Sequence, residues 1–179
     1  RAGQFVASMV DIFDKQGDLP VWHLWGNETN CMVGDPAIPV VADAIVKGLK
    51  GFDPEHAFEA IKQTAASQER GKELRHTYGY IPCNLYNEAI AYDMEYALAD
   101  GAAANAAKVL GKEDEYTYFT RMSHSYRTYF DISTGFIRGV DDKGEYRTPF
   151  NPYYASHRED DYCEGNAWQY TWLVPHDME

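Results

Sequence analysis

The sequence lacks the features that mark several common classes of protein. None of its apolar runs approaches the ~20 residues of a membrane-spanning helix, and no signal peptide is recognisable. It has no phosphate-binding loop, dinucleotide fingerprint or nucleophilic serine motif, and its six histidines lack metal-ligand spacing. Its three cysteines do not form a zinc-site pattern or a full disulfide framework. We therefore expect neither a nucleotide-binding enzyme nor a membrane-inserted protein.

Basic residues are also few. Lys and Arg number 16 against 28 Asp and Glu, which gives a net charge of −12. That charge argues against nucleic acid as a partner and leaves neutral substrates open. Hydrophobic residues make up 45% of the 179, enough for a packed core, and aromatic residues make up 15%. The chain starts Arg-Ala-Gly and stops just after a dense motif, so we expect it to be a piece of a longer protein.

Apolar residues recur at helical spacing along most of the chain, which predicts a mainly α-helical fold. Glycine ends several of these segments, and Asp53-Pro54 has the form of a helix start. Because helices in hairpin pairs collect their loops at one end, we expect a site built from loops there. We predict helices over 1–16, from Asp35-Pro36 up to Gly51, and over 54–65, 88–110 and 113–130. We also predict a further helix from about Asn166 and mainly connection over 67–87.

Residues 134–148 change to a shorter period. Phe136-Ile137-Arg138 and Glu145-Tyr146-Arg147 flank a polar turn, which predicts one small β-hairpin. No sequence repeat of fixed period is present, so the pattern does not require a solenoid.

The richest stretch, from Asp160 to Trp172, reads DDYCEGNAWQYTW. An acid near like charges and apolar rings keeps its proton near neutral pH, so Glu164 is a candidate proton donor. Side-chain amides and flat rings, here Gln169 and Trp168, bind the edge and face of a polyhydroxylated ring. On a continuous helix Glu164, Trp168 and Trp172 would share one face. We interpret the stretch as half of a sugar-cleaving site; the alternative is a Glu that favours a helix N-terminus beside two core tryptophans.

A second cluster, WHLWGNETN, covers residues 22–30. Trp25 is a candidate for stacking on a sugar ring, and Asn27 and Glu28 are candidates for binding its hydroxyl groups. The alternative is that the tryptophans plug the helical core and Asn27 caps a turn. A weaker third set, for which a solvated surface is the simpler expectation, comprises Asn84, Tyr86, Glu88 and Glu95.

The stretch EGNAWQYTWLVPHD from Glu164 closely resembles a signature of the glycoside hydrolase family 92 α-mannosidases. The resemblance extends over nearly the whole chain. Upstream segments that resemble the family in the same order are LWGNETNCMVGDPAIPVVADAIVKGLKGFD from Leu24, GYIPCN from Gly79, EYALADGAAANAAKVLGKEDEY from Glu95 and STGFIRG from Ser133.

The resemblance implies that residues 1–179 are part of a catalytic (α/α)6 barrel, which a β-sandwich domain precedes. It implies an exo-acting, inverting, calcium-using α-mannosidase of mainly bacterial origin that acts on mannose-containing glycans. The general acid falls on Glu164, while the general base and most calcium ligands fall in later segments, so no metal ligand is expected in this chain. The resemblance also implies a periplasmic, cell-surface or secreted protein. The fragment alone, without the rest of its polypeptide, is expected to be inactive.

Two departures from the family pattern stand out. Pro36 replaces a His in a segment where GYHA is expected, and residues 88–101 differ from SVSxTLEYAYDDW. If these positions touch substrate, they predict an altered sugar specificity. Asp160 and Asp161 are expected to keep the neighbouring acid protonated rather than to act as the base.

Two other classes of function compete with catalysis. Catalysis predicts Glu164 in a concave pocket lined by the Trp25 loop. A non-catalytic helical carbohydrate-binding module predicts exposed coplanar rings without a sheltered carboxyl group. A structural helical domain predicts that both tryptophan clusters are buried in the core.

Overall fold

The computed structural model describes residues 1–178 and confirms a mainly α-helical chain. In this part of the chain two short antiparallel strand pairs accompany the helices. No helix among these residues has both the length and the apolar character to cross a membrane. The elements are α1 (Ala2–Gln16), β1 (His23–Leu24), β2 (Asn27–Glu28), α2 (Ala37–Val46), α3 (Pro54–Ala66), α4 (Lys72–Tyr78), α5 (Ala89–Val109), α6 (Glu113–Met122), a 3-10 helix (Ser125–Tyr129), β3 (Phe130–Asp131), β4 (Phe136–Ile137) and α7 (Ala167–Tyr170).

The ends of the first helices follow from local sequence. Gly17 ends α1 in a left-handed conformation (φ 93°), and its N–H donates to the carbonyl of Phe13 at 2.8 Å. Asp53 caps α3, because its carboxylate accepts the N–H of Glu55 at 3.0 Å. Both helix boundaries were predicted from the sequence and are confirmed.

Helix α5 is the central element of the fold. Most of its residues are buried, and many are alanines, which let α2, α3 and α6 pack close against it. One hydrophobic core lies between its C-terminal half and α1, α2, α3 and α6. A second core surrounds its N-terminal half, where Ile90 and Met94 contact a cluster that includes Tyr129, Ile137 and Tyr162. This second core carries the loop that contains Glu164.

Helix α4 lies in a region that we predicted to be mainly connection, and its buried face is charged. Lys72 donates to Asp35 at 2.8 Å, and the Arg75 guanidinium donates to Asp93 at 2.5 Å and to Asp100 at 2.6 Å. All five side chains are at least nine-tenths buried. Apolar periodicity does not predict such a helix, because its inward-facing residues, Lys72 and Arg75, are of types that are usually exposed to solvent.

A small β-hairpin is present in this region, but its strands pair differently from the prediction. Strand β4 pairs with β3, with Phe130 opposite Ile137, instead of with residues 145–147. The expected second strand contributes one isolated bridge, between Tyr146 and Val140. The helix predicted to reach residue 130 ends at Met122 and continues as the 3-10 helix, which turns the chain into β3.

Candidate active site

Residues 160–166, which we call the Glu164 loop, are hydrogen-bonded to the first turn of α5. The first backbone N–H groups of a helix have no partner inside it. Here Glu88 donates its N–H to the carbonyl of Asp160 at 2.9 Å, and Ala91 donates to the carbonyl of Asp161 at 3.1 Å. Because α5 is buried along most of its length, it gives the loop a rigid support.

The carboxylates of Asp160 and Asp161 also hold the Glu164 loop in shape. Asp160 accepts the N–H groups of Ser156 and Tyr162, each at 2.7 Å. The buried Asp161 forms a doubly bonded ion pair with Arg147, at 2.7 and 2.8 Å. Burial raises the pKa of Asp161, and Arg147 opposes that rise. Both carboxylates therefore shape the loop, and their expected effect on the neighbouring acid stays a prediction.

Glu164 lies in a turn that is held on both sides. The phenol oxygen of Tyr170 accepts the N–H of Cys163 at 3.3 Å and donates to its carbonyl at 2.9 Å. Asn166 then caps α7 in a reciprocal pair with Gln169, whose Oε1 accepts the N–H of Asn166. Glu164 itself has a φ of 50°, a left-handed conformation that costs a non-glycine residue about 1–3 kcal/mol. The bonds on either side hold the backbone in this conformation.

Glu164, Trp168 and Trp172 do not share a helical face, which corrects the prediction from the sequence. Helix α7 is only four residues long, so Glu164 precedes it and Trp172 follows it. The side chain of Glu164 is exposed among residues 1–178. The sheltered cavity that we expected around this carboxyl group is therefore not formed by the described part of the chain.

Two further carboxyl groups belong to the same neighbourhood. Glu88 is 8% exposed, has a φ of 53°, and its Oε1 makes no hydrogen bond within residues 1–178. Burial, Glu88 and Glu164, in that order, raise the pKa of the Cys163 thiol to about 11, so both carboxyl groups lie near that sulfur. Glu95, two turns further along α5, is partly buried, and burial raises its pKa.

The solvated surface that we expected for Glu88 is therefore wrong. A buried carboxyl oxygen without a partner is costly, and such groups concentrate at sites with a function. Its position one residue before α5 was visible in the sequence. Its burial was not, because the Glu164 loop that covers it comes more than 70 residues later.

The Trp25 cluster forms a β-hairpin, residues 22–30, which we call the Trp25 hairpin. Leu24 pairs with Asn27, leaving Trp25 and Gly26 as a two-residue turn with φ values of 56° and 78°. Two positive φ values give a type I′ turn, and glycine suits its second position. The turn leaves Trp25 96% exposed, and the exposed Asn27 side chain makes no hydrogen bond within residues 1–178. Both side chains are thus available to a ligand.

Glu28 holds the Trp25 hairpin together. Burial opposes the ionisation of Glu28, but bonds from backbone N–H groups outweigh it and lower the pKa of the carboxyl group. In this structure the Glu28 carboxylate binds backbone groups of its own hairpin. The predicted contact of Glu28 with sugar hydroxyl groups stays a prediction. The four N–H groups that it accepts, at 2.8–2.9 Å, belong to Val21, Trp22, Thr29 and Asn30.

Helix α5 links the two site segments. Gly34, in the loop after β2, lies so close to Glu95 that a Cβ atom at Gly34 would overlap its side chain. Glu95 in turn influences the pKa of Tyr170, which holds the Glu164 loop. No hydrogen bond or ring contact within residues 1–178 joins Trp25 to Glu164. The structure thus places the two segments along one helix without bringing their side chains together.

Trp168 and Gln169 both belong to α7. The Trp168 ring is half exposed and stacks on the exposed Tyr153 ring, with centroids 6.2 Å apart and planes 25° apart. Gln169 uses one end of its amide in the helix cap, and its Nε2 makes no hydrogen bond with the described residues. A flat ring pair beside an amide suits the binding of a sugar.

Calcium does not fit the described residues alone. Within residues 1–178 no group of three or more His, Cys, Asp or Glu side chains is placed to hold a metal ion. The aspartates nearest Glu164 are already engaged, Asp160 by backbone N–H groups and Asp161 by Arg147. An ion bound near Glu164 would need oxygen ligands from elsewhere.

Solved structures of mannosidases share the fold of this chain. An α-mannosidase of glycoside hydrolase family 92 from Bacteroides thetaiotaomicron, in complex with mannoimidazole, is 42% identical, with a TM-score of 0.93 over 97% of this chain and 24% of its own. An inverting family 92 mannosidase from the same organism is 29% identical, with a TM-score of 0.87 over the same shares of the two chains. The predicted fold class, helical hairpins forming part of an (α/α)6 barrel, is confirmed.

Sequence relatives agree. A protein of Arthroderma benhamiae named an uncharacterized secreted glycosidase is 27% identical over 95% of this chain and 27% of its own length. The chain therefore spans about a quarter of the length of the relatives it matches. The family described as the glycosyl hydrolase family 92 catalytic domain matches residues 1–179. This chain belongs to glycosyl hydrolase family 92.

Proposed function

We propose that the protein containing this chain is an exo-acting, inverting α-mannosidase in which Glu164 is the general acid. The observation that carries the proposal is the way the Glu164 loop is built: α5, the Arg147–Asp161 pair and Tyr170 all fix a strained turn that presents one free carboxyl group. The family relation and the likeness to solved mannosidases support the choice of a mannoside as substrate.

The chemistry assigns one role to this chain. Cleavage of a glycoside needs an acid that protonates the departing oxygen, and an inverting enzyme needs a base ~6.5–9.5 Å away to activate water on the opposite face of the ring. Glu164 supplies the proton. The base comes from outside the described residues, since Asp160 and Asp161 are engaged within the loop.

Other carboxyl groups flank the proposed acid. Glu88 and Glu95 are carboxyl groups of the same sign, and Glu88 is buried beside the same thiol as Glu164. Trp168, Trp25, Asn27 and the free end of Gln169 are the proposed contacts to the sugar.

Calcium dependence is part of the proposal, with ligands supplied outside residues 1–178. A calcium ion there would be bound by hard oxygen ligands, a type that includes the hydroxyl groups of a sugar. Treating the full-length protein with a chelator should abolish hydrolysis, and adding Ca²⁺ should restore it while Mg²⁺ should not. Full activity after exhaustive chelation would remove calcium from the account.

A second candidate, a non-catalytic carbohydrate-binding module, is favoured by one observation. Trp168 and Tyr153 form an exposed, nearly parallel pair, and Glu164 is exposed among residues 1–178. A purely structural domain is not favoured, because Trp22, Trp25 and Trp172 are each about half or more exposed.

Hydrolysis by the full-length protein decides between catalysis and binding alone. NMR of a mannoside digest should show β-mannose as the first product, the outcome of inversion at an α-linked centre. Glu164→Gln should lower kcat by orders of magnitude, while Glu145→Gln, at an exposed turn, should leave it near the wild-type value. Saccharide binding without hydrolysis by the wild-type protein would favour the binding module.

We also propose a periplasmic, cell-surface or secreted location. The support is the curated relative, whose name describes it as secreted. Fractionation of the source cells tests this, and recovery of the protein only in the cytosol would contradict it.

A further inference from the structure

The Trp25 hairpin is attached to the helices through the chain segments on either side of it. Within residues 1–178 its hydrogen bonds join it only to itself and to Val21. Residues 22–27 are exposed, so the hairpin projects from the fold. We call residues 17–21 the entry segment and residues 31–34 the exit segment. The polar attachment of the hairpin therefore runs through these two segments.

One buried network joins the entry segment to the exit segment. The buried Leu19, in the entry segment, donates its N–H to the hydroxyl group of Thr64 on α3 at 2.9 Å. Lys72 of α4 donates to the carbonyl of Thr64 at 2.6 Å and to one carboxylate oxygen of Asp35 at 2.8 Å. Arg70 donates to the other oxygen of Asp35 at 3.1 Å. The network thus runs from one side of the hairpin to the other.

Arg70 is the member of this network that binds the exit segment. Its Nη2 donates to the carbonyl of Met32 at 2.5 Å and to the carbonyl of Gly34 at 3.0 Å. A guanidinium group carries five donors in a planar fork, so one side chain can bind two carbonyls and a carboxylate together. Gly34 also packs against Glu95 of α5. The exit segment is therefore bound by Arg70 where it lies against the central helix.

The fold holds Arg70 in an unfavourable conformation. Its backbone is left-handed, with a φ of 57°, and its buried Nε has no hydrogen-bond partner within residues 1–178. The Tyr96 hydroxyl group donates to the carbonyl of Arg70 at 2.9 Å, and the guanidinium carbon lies 5.6 Å from the centre of the Tyr92 ring. Strained residues that their surroundings hold in place are concentrated at functional sites.

We propose that Arg70 is a positioning residue, which sets the place of the Trp25 hairpin and thereby the affinity for the sugar. The inference rests on the proposed function, in which Trp25 contacts the substrate. The Glu164 loop is held by other groups, namely α5, Arg147 and Tyr170. Loss of the Arg70 contacts should therefore weaken substrate binding and leave the chemical step unchanged. The alternative is that Arg70 only stabilises the fold.

A double-mutant cycle in the full-length enzyme tests the proposal, with an aryl α-mannoside as substrate. Arg70→Lys keeps a positive charge beside Asp35 but loses the fork that binds two carbonyls, so it should raise KM about three- to tenfold and leave kcat within about twofold. Trp25→Ala removes the stacking ring and should raise KM by a similar factor. The double variant should have a KM within about twofold of that of Trp25→Ala, because Arg70 acts through the hairpin.

Hydrogen exchange gives a readout that does not depend on activity. In Arg70→Lys the amides of the exit segment should exchange about tenfold faster, while those of the Glu164 loop should not change. Arg121→Met, at an exposed arginine of α6, is the matched control and should change neither KM nor this exchange.

The outcomes separate this inference from the proposed function. An unchanged KM in Arg70→Lys, with kcat lowered because less enzyme is active, would show a purely structural role and overturn the inference. Multiplicative effects of the two substitutions on KM, or failure of Arg70→Lys to fold, would also overturn it. An unchanged KM in Trp25→Ala, or no hydrolysis by the wild-type enzyme, would instead overturn the proposed function on which the inference rests.

Discussion

The buried charge network between α4 and α5 makes a quantitative prediction about stability. Arg75 donates to Asp93, Asp100 and the carbonyl of Met122, and Asp93 is fully buried. Burial raises the pKa of Asp100 from its ordinary 3.8 to about 6 in spite of Arg75. Burial also opposes the charge of Arg75, but the two carboxylates outweigh it and raise the pKa of the guanidinium.

Arg75→Met keeps a long apolar side chain and removes the cation. Two buried carboxylates then lack a counter-charge, and breaking a buried ion pair in this way costs about 3–5 kcal/mol. A domain of 150–250 residues would lose about 6–20 °C in Tm for this change, and the larger full-length domain should lose less. Arg121→Met, at an exposed arginine of α6, is the matched control and should change Tm by little.

The pH dependence gives the prediction its signature. A carboxyl group whose folded pKa is raised binds a proton more readily in the native state, so its ionisation weakens the fold as pH rises through about 6. Removing Arg75 removes the opposing charge, so the deficit should be largest near pH 7.5 and smaller at pH 5. Adding Asp100→Asn to Arg75→Met should recover part of the loss at neutral pH.

Thermal unfolding of the full-length protein at both pH values measures the effect, with hydrogen exchange of the α5 amides as a local check. Equal losses for Arg75→Met and Arg121→Met would show that the buried charge network does not stabilise the fold. A loss of the same size at pH 5 and pH 7.5 would contradict the predicted pH dependence.

Two further predictions concern the site segments. Glu28→Ala removes the acceptor of four backbone N–H groups, so amide hydrogen exchange in the Trp25 hairpin should accelerate at least tenfold, while exchange in α5 should not change. Unchanged protection of the hairpin amides would show that Glu28 does not hold the hairpin together. Gly34→Ala should lower the free energy of unfolding by about 1–3 kcal/mol more than Gly17→Ala, because both replace a left-handed glycine but only the Cβ at Gly34 would overlap Glu95. Equal losses of stability in thermal unfolding would rule out that close contact.

Much of the fold could be predicted from the sequence, because most of its helices show apolar periodicity and begin or end at residues typical of helix termini. Helix α3 begins at the predicted Asp53-Pro54 signal, and α1 ends at Gly17. Helix α4 was not predicted, because its buried residues are Lys72 and Arg75. Their partners are aspartates from distant parts of the chain. Burial of paired charge is a tertiary effect that local pattern does not encode.

The candidate site shows the same division. The chemistry-bearing residue types around Glu164 could be found from one stretch of sequence, and Asn166 is a helix start as predicted. The conformation could not: a left-handed turn replaces the expected helix at Glu164, so its alignment with Trp168 fails. Glu88 went unrecognised because the loop that buries it is remote in sequence, and the Arg147–Asp161 pair is likewise visible only in three dimensions.

In the proposed reaction Glu164 gives a proton to the departing oxygen. The most direct test is a series of aryl α-mannosides whose leaving groups span several pKa units, hydrolysed by the full-length wild-type enzyme and by Glu164→Gln. A general acid at Glu164 predicts a shallow dependence of kcat on leaving-group pKa for the wild type and a steep one for the variant, because activated leaving groups need little protonation. Parallel dependences, with equal loss on every substrate or no loss at all, would contradict it.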